Sequence, residues 1–172
     1  MKKMFGVSAV VVMLAFASVA SAATSSGTLT VTGTIESSIS LTIETAGSST
    51  GGTGTAAATS ALGNISRFGT PPAGFTQALG ASDWTISSTI GVKVVKANLT
   101  STDYSLTAQL GLPATGVTWK LNGSTLSDTV ATPLTAHGNY DAIDDYSWDI
   151  VVADSAAAAA IDNTINFTAT SN

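Results

Sequence analysis

From Thr28 to Glu44 the chain reads Thr-Leu-Thr-Val-Thr-Gly-Thr-Ile-Glu-Ser-Ser-Ile-Ser-Leu-Thr-Ile-Glu, and every large apolar residue in it has an odd number. Period-two alternation is the mark of a half-buried β-strand, with Leu29, Val31, Ile35, Ile39, Leu41 and Ile43 on one face and hydroxyls and glutamates on the other. Drawn out at the usual rise, one strand over 28–44 would be roughly 50 Å long, far beyond the usual strand of five or six residues. It must be interrupted. Glu36-Ser37-Ser38 holds no Gly, Pro or Asn to make a tight hairpin, so a bend is expected, with the chain continuing in the same direction. Two outcomes fit: the strand crosses between the sheets of one sandwich, or its leading half leaves its own domain and pairs elsewhere.

Shorter alternations follow. Trp84 and Ile86 form one, Ile90, Val92 and Val94 a second, and Tyr104, Leu106, Ala108 and Leu110 a third. Val117-Trp119-Leu121 runs into Asn122-Gly123, a strong hairpin signal, with Thr125 and Leu126 beginning the return. Tyr146-Trp148-Ile150-Val152 and Ile165-Phe167-Ala169 close the series. Asp154-Ser155 before the run Ala156–Ala160 predicts one or two helical turns ahead of the last strand, since Asp or Ser caps a helix and Ala favours one. Residues 46–61, almost only Gly, Ser, Thr and Ala, read as a flexible surface loop, and Thr70-Pro71-Pro72-Ala73-Gly74 as a rigid turn. The expected fold is an all-β, immunoglobulin-like antiparallel sandwich of about seven to nine strands.

Composition changes the picture in two ways. The 172 residues include 22 Ser and 27 Thr but only 10% charged side chains, so hydroxyls must cover most of the wet surface. There is no Cys, which excludes disulfides, thiolate metal sites, a cysteine nucleophile and a lipoprotein anchor. Stability must then come from apolar burial and backbone hydrogen bonds, which a chain of this length can supply.

The start of the chain has its own pattern: Met1-Lys2-Lys3, an uncharged run from Phe5 to Ala17, then Ala20-Ser21-Ala22. This is the order of an export signal with a cleavage site after Ala22, and its apolar run is shorter than the roughly 20 residues that span a bilayer. The expected layout is therefore a signal peptide at 1–22 and a single domain at 23–172, secreted or held at the cell surface, with no membrane span after cleavage. Four basic residues, Arg67, Lys93, Lys96 and Lys120, then face eleven acidic ones, which argues against a nucleic-acid partner.

Candidate chemistry is sparse. His137 is the single histidine, sits in a polar turn and has no G-x-S-x-G elbow to serve, so no catalytic residue is expected. Asp141, Asp144 and Asp145, with Asp149 nearby, could offer oxygen ligands to Ca²⁺, but their spacing departs from the Asp-x-Asp-x-Asp-Gly loop and a solvated acidic turn is the expectation. No cofactor is expected. Trp119 and Trp148 lie in register with apolar neighbours and read as core, whereas Trp84, following Asp83 near a strand start, reads as the exposed aromatic able to contact a ligand.

The signal segment, the Thr-Leu-Thr-Val-Thr-Gly-Thr-Ile opening and the closing Asn163-Thr164-Ile165-Asn166-Phe167-Thr168-Ala169-Thr170 resemble small bacterial surface β-sandwiches of the pilin and spore-coat-U-like type. Subunits of that kind assemble by donor-strand complementation, an N-terminal extension of alternating apolar residues filling a groove in the next subunit. The resemblance implies that Leu29, Val31 and Ile35 are the inserting side chains. It also implies that the partner is a second copy of the chain or a related surface subunit. The alternative from another class is a monomeric module binding polysaccharide or another surface polymer, for which an exposed Trp84 would be the sign.

Overall fold

The computed structural model describes residues 28–172 except 47–49, 52–53 and 115; the segment 1–22, expected to be an export signal, lies outside the described residues. Contacts divide the chain into 1–34 and 35–172. In the first part, the described residues 28–34 belong to no strand.

The second part is an antiparallel β-sandwich. Its strands are β1 (Ser38–Ala46), β2 (Thr50–Gly51), β3 (Thr59–Ser60), β4 (Thr76–Leu79), β5 (Asp83–Ala97), β6 (Asp103–Leu110), β7 (Val117–Leu121), β8 (Ser124–Thr125), β9 (Thr132–Asn139), β10 (Ile143–Ala153) and β11 (Ile165–Ser171). One sheet runs β1-β5-β10-β7-β8, with β4 also on β5; the other runs β11-β6-β9. β2 and β3 form a separate small ribbon.

β5 organises the larger sheet. Trp84, Ile86, Ile90, Val92 and Val94 are all even-numbered and all buried, so what reads in sequence as two short strands is one strand of fifteen residues. The polar step between them is accommodated because the Ser88 hydroxyl donates to the Gly74 carbonyl at 2.9 Å. One edge of β5 pairs with β10, while β1 and β4 share the other: Ser38–Ala46 lies against Ala97–Ile90 and Thr76–Leu79 against Ser87–Trp84. Asn122 and Gly123, with φ of 46° and 77°, make the expected hairpin between β7 and β8; positive φ at both central residues is what a type I′ turn requires.

Three expectations need correction. The ladder of the first strand starts at Ser38 rather than Thr28, and the described residues 28–37 belong to no strand. The Gly-, Ser- and Thr-rich stretch after β1 is partly ordered: Thr50–Gly51 pairs with Thr59–Ser60, and the Ile43 amide donates to the Thr55 carbonyl at 2.8 Å. The alanine run forms no helix; Asp154 and Ser155 make a turn and residues 156–164 are irregular. Five alanines are too few to offset helix nucleation, and the segment is stretched between the end of β10 and the start of β11.

The core lies between the two sheets. Tyr104, Leu106, Ala108 and Leu110 of β6 face Tyr146, Trp148, Ile150 and Val152 of β10 across it, each set alternating with more exposed neighbours. Trp148 stacks on Trp119 at 6.1 Å and takes the edge of Phe75 at 5.6 Å.

Candidate functional site

Burial within the sandwich is uneven. Inward residues of β5, β6 and β10 are fully enclosed, but Ile165, Phe167 and Ala169 of β11 and Ile39 and Leu41 of β1 are only half-buried, although they have the same alternation. These two strands border the same flank. β11 pairs with β6 on one edge, and among the described residues no strand pairs with its other edge; β1 approaches β11 there without joining its sheet. In a seven-stranded immunoglobulin-like sandwich the two sheets carry four and three strands in the orders A-B-E-D and C-F-G. Here β1-β5-β10-β7 follow the first order and β6-β11 follow C-F, so the free edge of β11 corresponds to the edge that G borders, while β9, on the other edge of β6, has no counterpart in that order.

The inter-sheet space opens into a cavity of about 1290 Å³, lined by apolar side chains from both sheets, among them Leu41, Ile43, Ile90, Ile165 and Phe167, and by all three tryptophans. Residues 56–65, which include β3, and residues 153–164, from the end of β10 onward, complete its wall. Arg67 lies in that wall. Its guanidinium donates to the Asp154 carboxylate and, at 2.7 Å, to the Gly80 carbonyl.

Leu29, Val31 and Ile35 are exposed at 88%, 83% and 81%. Trp84, expected at the surface, is only 7% exposed: its even register places it in the inward row of β5, where its ring helps to line the cavity.

The acidic residues separate. Asp141 sits in the turn before β10 with φ 66°, its amide donating to the Val94 carbonyl at 2.9 Å. Asp144 accepts the Tyr104 hydroxyl at 2.9 Å, and Asp145 points to solvent. Among the described residues no group of three or more His, Cys, Asp or Glu is placed to hold a metal ion. His137 Nδ1 lies 3.0 Å from Asp103 Oδ2, while the Asn172 amide donates to Asp103 Oδ1 at 2.6 Å and to the Ala136 carbonyl at 2.8 Å. These hydrogen bonds, Asn172 first and His137 second, hold the Asp103 carboxyl below its ordinary pKa of 3.8. The arrangement ties the end of the chain to β6 and β9 and presents no nucleophile.

Sequence reasoning misses the role of Arg67, Asp154 and Asn163, which line the cavity and anchor part of its wall. Arg67 and Asp154 are 87 positions apart, Arg67 stands in no recognisable motif, and Asp154 reads in sequence only as a helix cap. Among the described residues no helix is long and apolar enough to cross a membrane. The chain matches no family model, no curated protein and no solved structure.

Proposed function

We propose that this chain is an exported structural subunit of a cell-surface filament or coat, assembling by addition of the 28–35 segment of one copy to the open flank of the next. The observation that carries this reading is a mismatch within one chain: three alternating aliphatic residues stand in water just ahead of β1, while the inward faces of β1 and β11 are only half-covered. Full burial of a Val, Leu or Ile contributes about 1.5–3 kcal/mol, which the isolated subunit forgoes at all three positions.

The dimensions agree. Leu29 to Ile35 is as long as β11, about 20 Å when extended, so a strand of that length would match the free edge end to end. Backbone hydrogen bonds to β11 would give affinity without regard to sequence, and the odd-numbered side chains would set the register in the cavity. The chemistry is that of a binding interface with no reaction step, and the partner is a second copy or a close relative of this subunit.

A polysaccharide-binding module calls for an indole face open to a sugar ring, and Trp84 is enclosed instead. The strand-addition reading is tested by removing residues 23–35 from the full chain and comparing both proteins by size-exclusion chromatography with light scattering. The intact chain should form oligomers, and the shortened one should stay folded and monomeric. Oligomers of the shortened chain would overturn the proposal.

A further inference from the structure

The segment between β10 and β11 bridges the two sheets and forms part of the cavity wall. It is pinned at both ends. At the first, the Asp154 amide donates to the Ser82 carbonyl at 2.9 Å and the Asp154 carboxylate receives Arg67, which also holds Gly80 in the turn between β4 and β5. At the second, the Asn163 side chain accepts the Leu112 amide at 3.1 Å and donates to the Leu112 carbonyl at 2.9 Å, while the Thr164 carbonyl accepts the Gly111 amide at 2.8 Å. Between the pins, residues 157–162 make no hydrogen bond; Ala156 and Ile161 rest half-buried on the core and Ala157–Ala160 are exposed.

A stretch with few buried contacts and no backbone hydrogen bonds lies at the low-stability end of a fold and opens locally before anything around it. The two pins respond differently to solution conditions. The Asn163 pin is a neutral pair of hydrogen bonds to the end of β6. The Arg67–Asp154 pin is an ion pair near the surface, weak and screened by salt. We propose that residues 154–164 act as a gate on the cavity, with Arg67–Asp154 as its latch: when the latch releases, Ala156 and Ile161 lift from the core and the cavity opens on the side this segment walls. This deepens the strand-addition reading by naming what limits entry of the incoming segment, and it rests on that reading for its use.

The test follows entry of two probes into the full chain by stopped-flow fluorescence. One is an apolar naphthalene sulfonate dye, which needs only cavity access. The other is a labelled peptide of residues 28–37, which needs a matching groove. Asp154→Asn and Arg67→Gln should each quicken dye entry about two- to fivefold, the range open to a surface ion pair. The double variant should be no faster than either single one, wild type in high salt should approach the same rate, and the exposed Asp145→Asn should change nothing. As a check that needs no variant, hydrogen exchange at the Asp154 and Ala156 amides of the wild-type protein should accelerate with salt. Dye entry and exchange that are both indifferent to salt and to the substitutions would overturn the gate. Faster dye entry with no peptide capture by any form would keep the gate and remove strand addition; peptide capture at one unchanged rate in all forms would do the reverse.

Discussion

The hydroxyl of Tyr104 on β6 donates to the carboxylate of Asp144 on β10 at 2.9 Å, joining the two sheets from inside the core. Tyr104 is completely buried, and its ring also meets Tyr140 at 5.3 Å, with Lys96 Nζ over the far ring at 4.9 Å. Burial first, and the Asp144 carboxylate second, push the Tyr104 phenol well above its ordinary value of 10.0, and the same two causes raise Tyr146.

A raised phenol pKa means the folded protein favours the neutral form more than the unfolded chain does. Its stabilising effect is therefore complete below the unfolded value near 10 and is lost as pH rises above it. Urea midpoints should stay level up to about pH 9 and fall above about pH 10. Tyr104→Phe should lower stability at neutral pH by about 1.5–3 kcal/mol, the range for a hydrogen bond to a charged acceptor, and should make the alkaline decline shallower. A steeper alkaline decline in the variant would show that another group controls it.

At the chain terminus the sign is opposite. The Asp103 carboxyl is held below 3.8 by Asn172 and His137, so its contribution is present above that value and fades as pH falls through the depressed one. Asn172→Ala removes the larger cause. In a carbon-detected NMR titration the Asp103 carboxyl should move up toward its ordinary range in that variant, and His137→Ala should move it less.

Two glycines divide by environment. A Cβ at Gly138 would overlap the Tyr104 ring, whereas one at Gly33 would meet nothing within 4 Å, and Gly33 has no positive φ. Gly138→Ala should cost about 1–3 kcal/mol, as overpacking of a rigid ring does. Gly33→Ala should leave thermal unfolding of the subunit unchanged. Equal losses at both positions in calorimetry would contradict the packing around Tyr104.

Much of this architecture is legible along the chain because its strands alternate strictly. The rows Tyr104 to Leu110 and Tyr146 to Val152 can be assigned by parity alone, and Asn122-Gly123 announces its hairpin. β9 is missed because Thr132–Asn139 has no alternation: its register against β6 slips twice, and Pro133 lies within it. β5 is divided in sequence by its Ser87-Ser88-Thr89 step, which the structure carries through in the ladder with β10, with Ser88 also bonded to the distant Gly74 carbonyl. At the candidate site the apolar residues of the exposed segment can be named from spacing, but the polar pins cannot. Arg67 meets Asp154, and Asn163 meets Leu112, through contacts that exist only after the sheets have formed.

The same parity argument yields a pair of opposite expectations for the apolar residues. Val31→Asp and Ile35→Asp place a charge where the isolated subunit already exposes the side chain, so its unfolding free energy should change by no more than about 0.5 kcal/mol. Ile150→Ala, at a side chain with no exposure, should cost about 2–5 kcal/mol by the same measurement. Phe167→Ala, half-buried on β11, should fall between them in the monomer but should weaken oligomers as strongly as Val31→Asp does, because both would then remove one side of a single interface. Light scattering over a concentration series compares the two. Loss of monomer stability in Val31→Asp would mean that the segment packs into its own sandwich, and intact oligomers in both variants would mean that the open flank of β11 is not where copies meet.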